Sequence, residues 1–167
     1  YRFYFSENNK FFDYCESLKK TEKEISKFNS EDIIGYHNLV NFSEKIFNVG
    51  FDQLSATPFH NFFFMIKQLP KLLMLKSYLT VFGLVKKFIK NKQLRQALSI
   101  QPLLLGGNPT STTSIYNLIH FLERKWGVHY AMGGTGNLIK ALCTLMKEEK
   151  IKISLKSQVT KLLTDHN

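Results

Sequence analysis

The spacing of apolar positions changes several times along the chain. Residues 1–16, YRFYFSENNKFFDYCE, hold two aromatic-rich runs around a turn-forming stretch at 6–9, which predicts a β-hairpin. Residues 17–28 are polar and lysine-rich and read as a surface helix. Ser30, followed by Glu31 and Asp32, supplies a helix start: an acceptor at the cap and acids near the positive end of the dipole. Beyond it Ile33, Tyr36, Leu39, Val40, Ile46 and Phe47 recur at helical spacing, so one long helix is expected to about Gly50.

Thr57 and Pro58 open a second region, TPFHNFFFMIKQLPKLLMLKSYLTVFGLVKKFIKNKQLRQAL. It is dense in Phe, Leu and Met and predicts two or three short helices, with Pro70 starting a new one because its missing N–H costs nothing in a first turn. Gly106-Gly107-Asn108-Pro109 is a break. A helix is expected from about Ser114 to Trp126, stopped by Gly127, then a turn at Gly133-Gly134 and a helix from about Asn137 to Lys147. IKISL and a strand-like run at 158–163 predict a closing β-hairpin. The fold class that follows is α+β and mostly helical, with short antiparallel strands at both ends.

Composition sharpens this outline. Fifteen phenylalanines lack any polar tip and need either a large core or an apolar partner. The formal net charge of +10 points to phosphates. Only Arg2, Arg95 and Arg124 are arginines, the residue suited to forked phosphate and guanine contacts, which weighs against nucleic acid. Lysine serves diffuse attraction to a membrane surface well, although a lysine-rich soluble domain fits the same composition. Cys15 and Cys143 fit no disulfide or zinc spacing, so a reducing compartment is the simpler expectation. No run of about 18 apolar residues occurs, hence no spanning helix is expected. Starting on Tyr and opening directly in a strand-like run, the sequence reads as cut from a longer protein.

Chemistry-bearing motifs are few. His37, His60, His120, His129 and His166 sit at no metal-ligand spacing and predict structural or surface roles. No nucleophile signature is present, so catalytic residues are unknown. Gly133-Gly134-Thr135-Gly136 precedes a helix and could face an anion, but it lacks GxGxxG spacing and a plain tight turn is the favoured reading. Segment 59–90 interleaves Phe59, Phe63, Phe64, Leu72 and Met74 with Lys67, Lys71 and Lys87. An in-plane membrane helix explains it, as does a buried helix with a solvated lysine edge.

Residues 94–142, LRQALSIQPLLLGGNPTSTTSIYNLIHFLERKWGVHYAMGGTGNLIKAL, carry LRQALSI, LLLGGNP, SIY, LIH, LER, WGV and GGTG in one order. With FNSEDIIGYHNLVNFSEKIFNVGF at 28–51 and TPF at 57–59, this closely resembles the middle of bacterial-type phytoene desaturases. The resemblance implies an internal fragment of a two-domain, FAD-dependent flavoprotein of amine-oxidase-like architecture. Residues 1–130 would be a substrate-binding, membrane-associating helical region and 131–167 the return into the FAD domain. It further implies a phytoene or carotenoid substrate, a hydride passed from an allylic carbon to FAD, and a quinone or oxygen as acceptor. The enzyme would be peripheral, on the cytoplasmic side of a membrane. Val159 matches the superfamily valine that offers its backbone to adenine; its other reading is an ordinary inward-facing strand residue. The family's main flavin motifs lie outside these residues, so the fragment alone is not expected to hold FAD. Where some members carry an acid after the Pro-Phe pair, this chain has Phe64, with a cation kept at Lys67, and His129-Tyr130 replaces the family's residues after WGV. Alternatives are a related carotenoid isomerase or oxygenase, or a non-enzymatic membrane-surface helical module.

Overall fold

The structure, a computed structural model, describes residues 1–53 and 62–163. The chain divides into two compact units, Tyr1–Val128 and His129–Asn167.

The first unit opens with the expected hairpin, β1 (Arg2–Phe5) and β2 (Lys10–Asp13), in antiparallel register with Phe3 opposite Phe12 and Phe5 opposite Lys10. Alternation decides its faces: Phe12 is buried, with Phe3 and Phe5 packed on the same core, whereas Tyr4 and Phe11 point outward. Asn9 takes the positive φ of 54° that the turn demands. Helix α1 (Leu18–Ser26) is capped by Ser17, whose hydroxyl accepts from the Lys20 N–H, and it buries Thr21 and Ile25.

Helix α2 (Asp32–Phe47) is the spine of this unit. It packs against α4 (Val81–Phe88) and α6 (Leu118–Trp126). Tyr36 and Leu39 enter a core shared with Ile25, Val85, Ile89, Leu94 and Leu98. A second cluster joins Ile46, Leu75 and Leu84. Ser30 does not cap α2 as expected; Glu31 occupies that position without a side-chain bond. The acid beside it has a stronger use elsewhere. Buried Asp32 accepts from the backbone N–H groups of Lys90 at 2.6 Å and Asn91 at 2.8 Å. Asn91 in turn caps α5 (Lys92–Ala97) by accepting from the Leu94 N–H. Gly35 faces the end of α4 so closely that a Cβ there would lie 2.0 Å from the Phe88 carbonyl oxygen. Past α2 the chain continues through a π-helical turn, Asn48–Gln53, so the helical path runs slightly beyond Gly50.

Where two or three short helices were expected between 57 and 98, the described residues form α3 (Phe62–Met74), α4 and α5. Pro70, however, starts none of them. It lies inside α3, removing one ladder bond from a helix that otherwise continues through it. The break at Gly106 follows a 3-10 turn, Gln101–Leu105, and uses φ 76° at the glycine. Asn108 holds the loop by accepting from the N–H and hydroxyl of Thr110. A 3-10 turn at Ser114–Asn117 leads into α6, which Gly127 ends at φ 75°.

The second unit contains a turn at Gly133 and Gly134, both at positive φ, and then α7 (Thr135–Glu148). Lys150 in left-handed conformation closes α7, with the Ile151 N–H reaching the Met146 carbonyl at 2.8 Å. The hairpin expected at the chain's end is not formed among the described residues: 151–163 run without a strand ladder. A strand exists only where another satisfies its N–H and C=O groups, and no described segment does so here. The described residues are thus mostly helical with one two-stranded antiparallel sheet.

Candidate lipid-binding site

On α3, residues Phe62, Met65, Ile66, Leu69, Leu72 and Leu73 fall on one helical face, while Lys67 and Lys71, one turn apart, fall opposite. Such two-faced helices ordinarily turn the apolar side into a core. Here most of that side is exposed: Phe62, Met65, Ile66, Leu69 and Leu73 all face solvent. Gln68, by contrast, is the buried residue of α3, at 6% exposure. Among the described residues the usual burial of such a helix is inverted.

A groove of about 250 Å³ runs along this helix, lined by Phe62, Met65, Ile66, Gln68, Leu69 and Leu72. Of the described residues expected to form the substrate region, only Leu72 enters it. Phe63 at 80% exposure, Met74 at 79% and Lys67 lie on α3 outside the groove lining, and Phe64 is half-buried. Phe59 lies outside the described residues. Sequence reading passed over Gln68, although one signal was there: a lone amide between Met65 and Leu72, within turns that are otherwise apolar or cationic.

The residues of LIHFLER make a different kind of site. His120 is fully buried and its Nε2 lies 2.9 Å from the Leu98 carbonyl, which can only accept, so that nitrogen carries the proton. Nδ1 then accepts from the Gln101 amide at 3.2 Å and the Tyr14 hydroxyl at 3.3 Å. Burial pulls the His120 pKa down to about 4, with Arg124 adding to the effect and the Leu98 bond opposing it. Arg124 lies over the Tyr14 and Tyr36 rings at 4.5 and 5.8 Å and donates to the carbonyls of Cys15 and Glu16. Burial also raises Tyr14, Tyr36 and the Glu123 carboxyl above their ordinary values. His120 is therefore structural, as its spacing predicted, and His37 pairs with Glu22 at 2.8 Å. No group of three or more metal-ligating side chains gathers among the described residues.

No described strand leads directly into α7, so Gly133 and Gly134 form a turn without the strand–turn–helix of a dinucleotide site. Val159 stands in the unpaired segment at 74% exposure. No described helix is long and apolar enough to cross a membrane.

A mostly helical module whose α3 leaves its apolar face uncovered is the class these features define. Along nearly its whole length, the chain is similar to part of the bacterial phytoene desaturases. It is 38% identical over 96% of its length to the lycopene-forming phytoene desaturase of Pseudescherichia vulneris and 37% identical over 96% to that of Pantoea ananas. Against the Paracoccus sp. enzyme of the same description the identity is 39% over 93%. The chain spans about a third of the length of these curated relatives, 33%, 33% and 31%. No protein-family model matches it.

Proposed function

We infer that this chain is the lipid-substrate region of a carotenoid desaturase that dehydrogenates phytoene or a close polyene during carotenoid synthesis. The observation that carries the reading is the exposed apolar face of α3 in a chain related along nearly its whole length to phytoene desaturases. A polyene hydrocarbon offers no hydrogen bonds, so an apolar path suits it and buried unpaired polar groups would penalise it. With its apolar side in the acyl boundary and Lys67 and Lys71 toward the headgroups, α3 would lie in the plane of an anionic leaflet. The enzyme would then be peripheral, on the cytoplasmic side.

In this reading residues 1–130 receive the substrate and 131–167 lead back to the cofactor domain. FAD, held mainly by polypeptide beyond the described residues, would accept hydride, with Val159 assigned to its adenine end and a quinone or oxygen re-oxidising it. The residues here bind and orient; Phe64, where some relatives carry an acid, has no proton to give.

Vesicle co-sedimentation tests the docking step. The chain should pellet with anionic vesicles but not with neutral ones at moderate salt. Charge reversal at Lys67, Lys71 and Lys87 together should lower the bound fraction several-fold, and unchanged partitioning would remove the proposal. For the activity, the full-length protein expressed in phytoene-accumulating cells should yield more unsaturated carotenoids. Phytoene left unconverted by well-folded enzyme containing FAD would overturn it.

A further inference from the structure

Where α2 and α6 end, four aromatic rings and one cation gather. Phe47 is buried at 1% exposure, and Phe51 stacks on it at 5.1 Å with 18° between the planes. Trp126 meets the same ring edge-on at 5.7 Å and 76°, and Phe121 lies 5.2 Å from it. The two outer rings stay open to solvent, Trp126 at 53% exposure and Phe51 at 46%. Lys125 sets its ammonium 5.1 Å from the centre of Phe47, 5.6 Å from Phe121 and 5.0 Å from Trp126. No ion pair among the described residues includes Lys125.

The parts of this group ask for different solvents. Rings left in water forgo the gain of apolar burial, whereas a hydrocarbon interior would reject an ammonium without a counter-ion. The headgroup layer of a membrane satisfies both, because rings lie level with the headgroups while a lysine reaches their phosphates. Tryptophan suits that layer further, since its body is apolar and its N–H donates. A net charge of +10, carried mostly on lysine, adds attraction to an anionic leaflet. Buried Phe47 backs both outer rings, so little side-chain freedom remains to be lost on docking. The group also belongs to the body that carries α3: Ile46 and Val49, on either side of Phe47, pack with Leu75, the residue after α3.

We propose that Trp126, Phe51 and Lys125 form a second membrane contact, distinct from the apolar face of α3 and seated in the headgroup layer of an anionic leaflet. The inference rests on the reading of this chain as membrane-docking, but not on its flavin chemistry or its substrate. In that arrangement α3 is the apolar anchor. The Trp126 group limits the depth of insertion, because its cation cannot follow the rings into hydrocarbon.

Trp126 is the only tryptophan in the 167 residues, so its emission reports on this group without any substitution. The full chain is titrated with phosphatidylglycerol vesicles, plain or carrying bromine either near the headgroup or at the acyl end. Binding should shift the emission to the blue, and headgroup-level bromine should quench it about twofold more than acyl-end bromine. Lys125→Gln should weaken vesicle binding about fivefold, while Lys19→Gln, at an exposed lysine of α1, should weaken it less than about twofold. A chain that pellets with the vesicles while its emission stays unchanged would overturn the proposal and leave the docking of α3 standing. Equal losses in the two lysine variants would do the same. Emission already blue and shielded from acrylamide before any vesicle is added would show that polypeptide covers Trp126, which also overturns it. A chain that fails to pellet at all would overturn both. The emission measurements need no variant, so a poorly folding Lys125→Gln leaves the test intact.

Discussion

His120 couples packing to pH. Its folded pKa of about 4 lies below the ordinary value of 6.5, so between those values the unfolded chain binds a proton that the folded chain refuses. The sign is fixed: stability is fully present above about pH 6.5 and is lost as pH falls toward about 4, by on the order of 3 kcal/mol. Buried Glu123, with its pKa raised, works in the opposite direction, so the comparison must be with a variant rather than with total stability. His120→Gln should flatten the acid limb of a urea-unfolding series between pH 6.5 and 4, even though it lowers stability at neutral pH. An unchanged slope would show that another group sets it. Two further residues have definite costs. Asp32→Ala leaves the Lys90 and Asn91 N–H groups without their acceptor and should lower stability by about 3 kcal/mol in equilibrium unfolding. Gly35→Ala must push α2 away from Phe88 and should lower it by about 1–3 kcal/mol.

At the scale of elements, Pro70 gives the clearest case. Its ring denies α3 one backbone bond, at about 3 kcal/mol in a helix interior, and the helix persists through it. Pro70→Ala should increase helicity by circular dichroism and raise the protection of the neighbouring amides in hydrogen exchange; loss of helix would mean the proline ring is needed for packing. The same residue shows what the sequence could and could not tell. Period and turn chemistry placed the first hairpin and the run of helices, because Phe12, Ile25, Tyr36 and Leu39 bury where their spacing says they must. Pro70 was misplaced because its preference for a first turn is local, whereas α3 is set by the apolar periodicity on both sides of it. Ser30 was misread as a cap because Asp32 works across 58 residues to Lys90, a distance no local rule sees. The closing hairpin failed for a related reason: alternation describes a strand's faces but cannot supply its neighbour. The groove was half-legible. Apolar residues and lysines announced α3, but burial of Gln68 depends on packing that spacing does not encode.

Across the whole molecule, burial is unevenly shared. The unit Tyr1–Val128 holds every residue of both core clusters, from Phe12 to Leu98, and the buried polar set around His120. In the other unit α7 buries no residue, and Leu138, Ile139, Leu142 and Leu145 are exposed along it, as are Leu155, Val159 and Leu162 farther on. Helical stability in proteins comes mostly from packing an apolar face, so α7 should open at a much lower free energy than α2 or α6. Protease sensitivity reads that difference directly. Trypsin at low ratio should cut first at Lys140, Lys147, Lys150, Lys152 or Lys156 and leave a resistant product spanning the first 125 or so residues, identified by intact mass over time. Surface lysines in α1, such as Lys19 and Lys20, are comparably exposed and act as the internal control, because they differ from those in α7 only in the packing beneath them. If the two sets were cleaved at equal rates, the stability of this chain would be uniform, and the unit that starts at His129 would need a stabilising contact of its own.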